Sequence, residues 1–310
     1  MKIICPDPKN FSNKAKSYLN ENFELVLCSP NDFLRKKNLD DFECLLIRFN
    51  TIVNEKVINK LENLKYILCP TTGLDHIDLD IVEKRGIQII SLKGDYEFLR
   101  GITSTAELAF LLIMSSVRQI NIAFDEVINR NWNLNIQPGN ELKNKTIGIL
   151  GLGRLGIIVA SYAKCFGMNI YYYDIEEKNS DTYYKKANSL KELIESSDII
   201  SIHIPLNDQT RNLIGDDQFK YFDKCKYIIN TSRGDIINSI SLITYMDRNP
   251  NFHAALDVLD DEGDPNNPLI EYSLKNKNLI ITPHIGGNTI EAIENTDMHI
   301  IRKFIKSIEK

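Results

Sequence analysis

The segment that most constrains the fold is residues 145–156, where five residues suited to a buried strand lead into Gly-Leu-Gly-Arg-Leu-Gly. An amphipathic helix is predicted at 157–166, and a second apolar strand at 169–173 ends at Asp174. In such a unit the glycines permit a tight turn, close approach of a pyrophosphate to the backbone, and close packing of the helix on the strand. The helix N-terminus offers N–H groups to phosphates, and Asp174, 23 residues after Gly151, can accept ribose hydroxyls. The pattern therefore predicts a dinucleotide site.

Length and composition bound the class of protein. A chain of 310 residues suits two domains, and 43% hydrophobic with 25% charged residues is typical of a globular enzyme. The net charge of −5 argues against a nucleic-acid partner. The longest apolar block, 108–114, is too short to cross a bilayer, so no membrane partner is expected. The six cysteines include no Cys-x-x-Cys pair, which favours reduced thiols in the cytoplasm over disulfides or a metal site.

Both halves of the chain alternate short apolar runs with helical patterns. In the first hundred residues, strands are predicted at 2–5, 23–28, 43–48, 65–69 and 87–90, and helices at 11–20, 54–61 and 79–85. A long amphipathic helix is predicted at 103–130. Later strands are predicted at 198–203, 226–230, 252–256 and 279–282, and a final helix at 289–310. This alternation predicts an α/β protein with two doubly wound parallel sheets.

Most polar candidates follow the ends of predicted strands, where open α/β sheets bind ligands. Arg233 can grip a carboxylate with its planar guanidinium, although a surface turn is an equal alternative. Asp257 can accept the carboxamide N–H of a nicotinamide, or it can stabilise a turn. The acidic loop from Asp257 to Glu262 holds four carboxylates and, taken alone, fits a solvated loop better than a site.

The histidines offer two candidates for acid–base chemistry. His284 has the most site-like setting, since it follows Pro283 and precedes two glycines that allow close approach of a ligand. His203 also ends a strand and is the alternative. The other three are expected to be a core residue, an exposed residue on the last helix and a loop residue: His253, His299 and His76.

Together these motifs resemble the NAD-dependent D-2-hydroxyacid dehydrogenases, which include phosphoglycerate, glycerate and D-lactate dehydrogenases. The matching segments span almost the whole chain: 72–78, 104–107, 151–156, 198–206 with Thr210, 231–234, 255–258 and 283–287. The resemblance implies a Rossmann NAD domain, residues 99–286, inserted into a flavodoxin-like substrate domain formed by residues 1–98 and 287–310. It further implies NAD as cofactor, a small 2-hydroxy or 2-oxo acid as substrate, and a homodimer.

The resemblance also implies roles for individual residues. Arg233 would bind the 2-oxo acid, and His284 would be the acid for reduction and the base for oxidation. Glu262 would pair with the imidazole, because its position 29 residues after Arg233 matches the family better than Asp260 or Asp261. The implied substrate contacts are Arg48 and the backbone of Thr72, Gly73 and Leu74. The implied cofactor set, in which His203 is no longer the acid, is Gly151, Gly153, Arg154, Leu155, Gly156, Asp174, His203, Pro205, Thr210, Thr231 and Asp257.

Two departures from the family pattern affect Glu262. The family usually has proline after this glutamate, whereas this chain has Gly263, and the stretch from 262 to 284 is longer than usual. A more mobile loop is expected to loosen the pairing of Glu262 with His284.

Two alternative functions are compatible with the predicted fold. The alternatives are an NADH-sensing corepressor-like binding protein and a formate or phosphite dehydrogenase. Glu262 argues against the formate enzymes, which pair the histidine with glutamine.

NAD is expected over NADP, because Asp174 would repel a 2′-phosphate and residues 175–180 contain no arginine, only Lys178 as a weak counter-charge.

Overall fold

The computed structural model describes residues 1–36, 39–133, 135, 138–178 and 181–309. The chain forms two compact units. Unit 1 comprises Met1–Ile102 and Asn288–Lys310, and unit 2 comprises Thr103–Gly287. Unit 1 is therefore built from both ends of the chain, whereas unit 2 is continuous.

Unit 1 is a parallel sheet covered by helices. Its strands are β1 Lys2–Cys5, β2 Glu24–Leu27, β3 Cys44–Leu46, β4 Tyr66–Cys69 and β5 Gln88–Ser91. They pair in the order β2-β1-β3-β4-β5, which is the flavodoxin-like order. Its helices are α1 Asn13–Asn22, α2 Pro30–Arg35, α3 Glu55–Ile58, α4 Leu79–Lys84, α5 Tyr96–Leu99 and the C-terminal helix Ile290–Ile308.

The C-terminal helix completes the core of unit 1. Its Phe304 is fully buried, with ring centroids 5.5 Å from Phe23 and 5.3 Å from Tyr66. His299, expected to be exposed, instead stacks on Phe98 at 3.7 Å and bonds Asp95 Oδ2 at 3.0 Å. The prediction for His299 was wrong because it considered the helix alone and not the β5–α5 connection beside it.

Unit 2 is a seven-stranded parallel sheet. Its strands are β6 Thr146–Leu150, β7 Asn169–Tyr173, β8 Tyr184–Lys186, β9 Ile199–Ile202, β10 Tyr227–Asn230, β11 His253–Leu256 and β12 Leu279–Ile281. They pair in the order β12-β11-β10-β9-β6-β7-β8, which is the Rossmann order extended by one strand. Its helices are α6 Ser104–Arg118, α7 Ile120–Ile128, α8 Arg154–Cys165, α9 Leu190–Ser196, α10 Asp216–Phe219, α11 Ser239–Arg248 and α12 Pro268–Lys275.

The predicted long helix at 103–130 is two helices. Gln119 adopts a left-handed backbone, with φ 52° and ψ 43°, and its N–H bonds the carbonyl oxygens of Ser115 and Ser116. This arrangement closes the end of α6 and lets α7 start in a new direction. The prediction of one helix was wrong because the apolar periodicity continues across the break.

The segment Tyr96–Arg118 is apolar and long enough to cross a membrane by composition. Within it, α6 packs as a core helix of unit 2, with Ala106, Ala109 and Ile113 fully buried. Burial of this kind is what a central helix in an α/β domain shows.

Candidate active site

The glycine turn after β6 leaves no room for a side chain at its first and third glycines. Gly151 has φ 93°, and a Cβ there would lie 2.8 Å from the carbonyl oxygen of His203. A Cβ at Gly156 would overlap the carbonyl of Gly151, so the third glycine lets α8 pack against the turn. A Cβ at Gly153 would meet no atom within 4 Å. The second glycine therefore faces open space just before the N-terminus of α8, where anions bind.

Asp174, at the end of β7, is fixed on this turn. Its Oδ2 accepts the N–H of Leu152 at 2.9 Å, and its Oδ1 accepts the N–H of Glu176 at 2.9 Å. Lys178 Nζ lies 3.7 Å from Oδ1 and also bonds the carboxylate of Glu176. The counter-charge of Lys178 is thus shared between two acids. Asn179 and Ser180, the rest of the predicted 175–180 loop, lie outside the described residues.

Two further predicted cofactor residues carry buried polar atoms that fit a bound group. His203 Nε2 lies 2.8 Å from Ser201 Oγ, while Nδ1 is buried with no hydrogen-bond partner among the described residues. Thr231 Oγ1 is likewise buried with no hydrogen-bond partner among the described residues. Burial lowers the pKa of His203 to about 4, so its ring is neutral near neutral pH. A neutral imidazole is a poor proton donor, which argues against His203 as the acid.

The remaining predicted cofactor residues lie around the same strand ends. Thr210 Oγ1 donates to the carbonyl of Pro205 at 2.7 Å and accepts the N–H of Asn207 at 2.8 Å, closing the turn after β9. Arg154 and Leu155 start α8, and burial lowers the pKa of the Arg154 guanidinium. These residues fit a dinucleotide at the carboxyl edge of the unit 2 sheet.

His284 and Glu262 form a direct pair. His284 Nδ1 lies 2.7 Å from Glu262 Oε2, so the loosening expected from the longer loop is not seen. Gly263 has φ 95°, which proline cannot adopt, because its ring fixes φ near about −65°. The lengthened part of the loop, residues 263–268, includes Asn267, which caps α12 and donates to the carbonyl of Asp260 at 2.6 Å. The loop is therefore braced.

Asp257 holds the turn that carries His284. Its Oδ1 accepts the hydroxyl of Thr282 at 2.6 Å and the N–H of Ile285 at 2.8 Å, and its Oδ2 accepts the N–H of Gly286 at 2.8 Å. Its own carbonyl accepts the N–H of His284 at 2.8 Å. His284 itself has φ 53°, a conformation that costs energy for a residue with a side chain. The 1% exposed carboxylate stabilises this turn, while burial raises the pKa of Asp257.

Arg233 and the acidic loop are brought together by the glycine that follows the arginine. A Cβ at Gly234 would overlap the backbone of Leu259 and Asp260. Asp260 accepts a hydrogen bond from the hydroxyl of Ser239 at 2.7 Å and therefore stabilises the loop, whereas Glu262 bonds the imidazole of His284. These side-chain bonds distinguish Asp260 from Glu262 in a way that sequence alone does not.

In unit 1, Arg48 is held by an acid that the sequence did not indicate. Its Nη2 lies 2.6 Å from Asp297 Oδ1 and 3.3 Å from Thr296 Oγ1, and its guanidinium carbon lies 5.2 Å from the centre of the Phe11 ring. Asp297 also accepts the N–H of Ser12 at 2.7 Å. No local motif links Arg48 to a residue 249 positions later, and only the packing of the C-terminal helix brings them together.

The predicted substrate loop, 72–74, is also braced. Thr71 Oγ1 donates to the carbonyl of Gly73 at 2.8 Å and lies 3.0 Å from Cys69 Sγ. Cys69 Sγ in turn lies 3.5 Å from His76 Nε2. Burial raises the pKa of Cys69 to about 11, so the thiol stays protonated. The Thr71 hydroxyl thus fixes the turn that leads into the predicted substrate residues.

The comparisons with known proteins follow this geometry. The sequence profile of the D-isomer specific 2-hydroxyacid dehydrogenase NAD binding domain matches residues 110–286. Glyoxylate reductase of Thermofilum pendens is 34% identical over 93% of this chain and 85% of its own length. The chain belongs to the D-isomer specific 2-hydroxyacid dehydrogenase family. Its NAD-binding domain and its two parallel sheets confirm the predicted family, cofactor and fold class.

Other similar proteins include a much longer relative and two solved structures of about the same length. D-3-phosphoglycerate dehydrogenase of Bacillus subtilis is 32% identical over 95% of this dehydrogenase-family chain, which spans only 55% of that relative. Among solved structures, the TT0316 protein of Thermus thermophilus has a TM-score of 0.86 at 26% identity, covering 100% of this chain and 97% of its own. D-lactate dehydrogenase of Aquifex aeolicus, complexed with NAD and lactic acid, has a TM-score of 0.79 at 25% identity, and the match covers 99% of this chain and 96% of that structure's chain.

Proposed function

We propose that this chain is an NAD-dependent oxidoreductase that interconverts a small D-2-hydroxy acid and its 2-oxo acid. The observation that carries the proposal is the 2.7 Å pair of His284 Nδ1 with Glu262, on a turn braced by Asp257. With Nδ1 bonded to Glu262, Nε2 is the ring atom that would exchange a proton with a substrate oxygen. Turns with this bonding hold a proton donor in place before the substrate arrives.

In this proposal each catalytic residue has a distinct task. Arg233 binds the substrate carboxylate with its planar guanidinium and polarises the adjacent carbonyl. His284 gives its Nε2 proton to the carbonyl oxygen during reduction and takes the proton back during oxidation. Glu262 orients the ring and stabilises the imidazolium. Bound NADH supplies the hydride for the substrate C2.

The cofactor would be held by the glycine turn and its neighbours. Gly151, Gly153 and Gly156, with the start of α8, would receive the pyrophosphate. Asp174 would accept the adenosine ribose hydroxyls, and NAD would be preferred over NADP, since Lys178 already serves two carboxylates. The buried Thr231 hydroxyl and His203 Nδ1 would meet the cofactor.

The smaller unit would contribute substrate binding. Arg48 and the backbone of Thr72, Gly73 and Leu74 would contact the acid. The braced carbonyl of Gly73 supports this role, because it fixes the path of the loop.

We also propose a cytoplasmic homodimer with no nucleic-acid or membrane partner. Support for a dimer comes from apolar side chains exposed on and after α7. Monomers rarely expose such side chains together. The exposed fractions of these side chains are 65% for Phe124, 57% for Val127, 75% for Ile128 and 84% for Trp132.

A substrate panel tests the proposed reaction. Purified protein is assayed with NADH, and separately with NADPH, against glyoxylate, pyruvate, hydroxypyruvate and phosphohydroxypyruvate. We expect turnover with at least one acid and a clear preference for NADH. Tight NADH binding without turnover of any acid would instead favour the corepressor-like binding protein. In a parallel assay with NAD⁺ as the oxidant, oxidation of phosphite or formate at a higher kcat/KM than any 2-hydroxy acid would favour the other alternative.

A further inference from the structure

Arg48 is neutralised within unit 1 by a buried acid. The carboxylate of Asp297 is 1% exposed and lies 2.6 Å from Nη2, while the Arg48 side chain is 14% exposed. Burial raises the pKa of Asp297, and the guanidinium of Arg48 opposes this shift. A pair at this distance holds the guanidinium in one orientation and cancels most of its charge.

The loop after β1 carries a further acid close to the Arg48 segment. Asp7, 8% exposed, follows β1 and accepts from Asn50 Nδ2 at 3.0 Å. Lys16 Nζ bonds the carbonyl of Pro8 at 3.2 Å. Asp297 is thus paired with Arg48, and Asp7 is bonded to Asn50, two residues after Arg48. A second anionic group on a ligand bound at Arg48 would meet a guanidinium that is already paired and a neighbouring acid.

We propose that Asp297 is a specificity-determining residue that limits the substrate to 2-oxo acids with a single negative charge. The inference rests on the proposed function, in which Arg48 contacts the acid. The substrate class is then the small monocarboxylates, such as glyoxylate, pyruvate and hydroxypyruvate. Phosphorylated and dicarboxylic 2-oxo acids bring a second charge that Arg48, already paired, cannot balance.

The test compares kcat/KM for monoanionic and multiply charged acids in the parent and in Asp297→Asn. The parent should prefer glyoxylate, pyruvate or hydroxypyruvate over phosphohydroxypyruvate and oxaloacetate. Asparagine keeps an acceptor for the Ser12 N–H but releases the charge of Arg48. The ratio of kcat/KM for multiply charged acids to kcat/KM for monoanionic acids should then rise about tenfold, and this gain should shrink in 0.5 M KCl, because salt screens charges.

Two controls separate charge from folding. Asp95→Asn removes another unit 1 acid that bonds the C-terminal helix, through His299 and Lys303, and should leave the ratio unchanged. The double variant Arg48→Gln/Asp297→Asn should return the ratio to the parent value. NADH affinity and melting temperature report on whether each variant is folded.

The outcomes distinguish this inference from the proposed function. No turnover of any acid by the parent would overturn the proposed function. Turnover by a parent that prefers phosphohydroxypyruvate or oxaloacetate would overturn only the role of Asp297, and so would a folded Asp297→Asn variant with an unchanged ratio. If Asp297→Asn does not fold, the preference of the parent between monoanionic acids and phosphohydroxypyruvate or oxaloacetate decides whether the proposal holds.

Discussion

The two sheets place their polar residues at the same kind of edge but hold them in different ways. In unit 2, His284 is fixed by Asp257 and paired with Glu262, both within 27 residues along the chain. In unit 1, Arg48 is fixed by Asp297, 249 residues away. Short motifs encode the first arrangement, whereas the second depends on where the C-terminal helix packs. Residues held locally can be read from sequence, while the charge state around Arg48 cannot.

Replacing His284 should have the largest effect if the locally held turn carries the chemistry. His284→Ala removes the proton donor and should lower kcat by about 10²–10⁴-fold, with NADH affinity nearly unchanged. Steady-state kinetics and NADH titration measure both. His203→Asn is the matched control and should weaken NADH binding more than it slows chemistry. A greater loss of kcat in the His203 variant, with cofactor affinity intact, would reverse the assignment.

Asp257→Asn tests the bracing of that turn. An amide NH₂ cannot accept a backbone N–H, so one buried bond to Ile285 or Gly286 is lost and the left-handed turn at His284 loosens. Losing a hydrogen bond to a charged group costs about 1.5–3 kcal/mol, so kcat should fall about 10- to 100-fold.

A cofactor analogue separates bracing from direct contact with the nicotinamide. The 3-acetylpyridine analogue of NAD has no amide N–H, so the penalty of Asp257→Asn should persist with it. A penalty that disappears with the analogue would show that Asp257 acts by binding the carboxamide. Asp260→Asn, in the neighbouring loop, controls for the loss of a carboxylate.

The smallest effect is expected in unit 1, at the brace of the substrate loop. Thr71→Val keeps the shape but removes the bond to the Gly73 carbonyl. A neutral hydrogen bond is worth about 1 kcal/mol, so KM for the 2-oxo acid should rise roughly fivefold with little change in kcat. Thr71→Ser retains the hydroxyl and should restore KM. A fall in kcat with unchanged KM would mean that this loop does not bind the ground-state substrate.

Much of the fold could be predicted because parallel strands are continuous apolar runs. The fingerprint strand, predicted as the five residues before Gly151, is observed as Thr146–Leu150, and β1 is observed at the predicted residues. Helices α2, α9, α11 and α12 were missed. Each starts with a capping side chain that sequence reasoning did not use: Ser29, Ser189, Asn238 and Asn267.

The candidate site was predictable only as far as its motifs are local. The family interval selected Glu262 among three acids, and the structure places that carboxylate on the imidazole. The sequence left Asp257 open between a nicotinamide contact and a turn residue, because the N–H groups it accepts have directions that depend on the φ of His284. The partner of Arg48 was missed because no short-range pattern connects β3 with the C-terminal helix.

Because unit 1 is formed from two separate segments of the chain, it can be completed only late in biosynthesis. Unit 2 is complete once residue 287 has been made, and domains generally fold as units during synthesis. Unit 1 must wait for the C-terminal helix, which brings Phe304 into the core and Asp297 to Arg48. Until then the nascent chain carries an unmatched arginine and an uncovered apolar sheet face. A ribosome that stalls between these points would leave a folded unit 2 attached to an unfinished unit 1 that chaperones recognise.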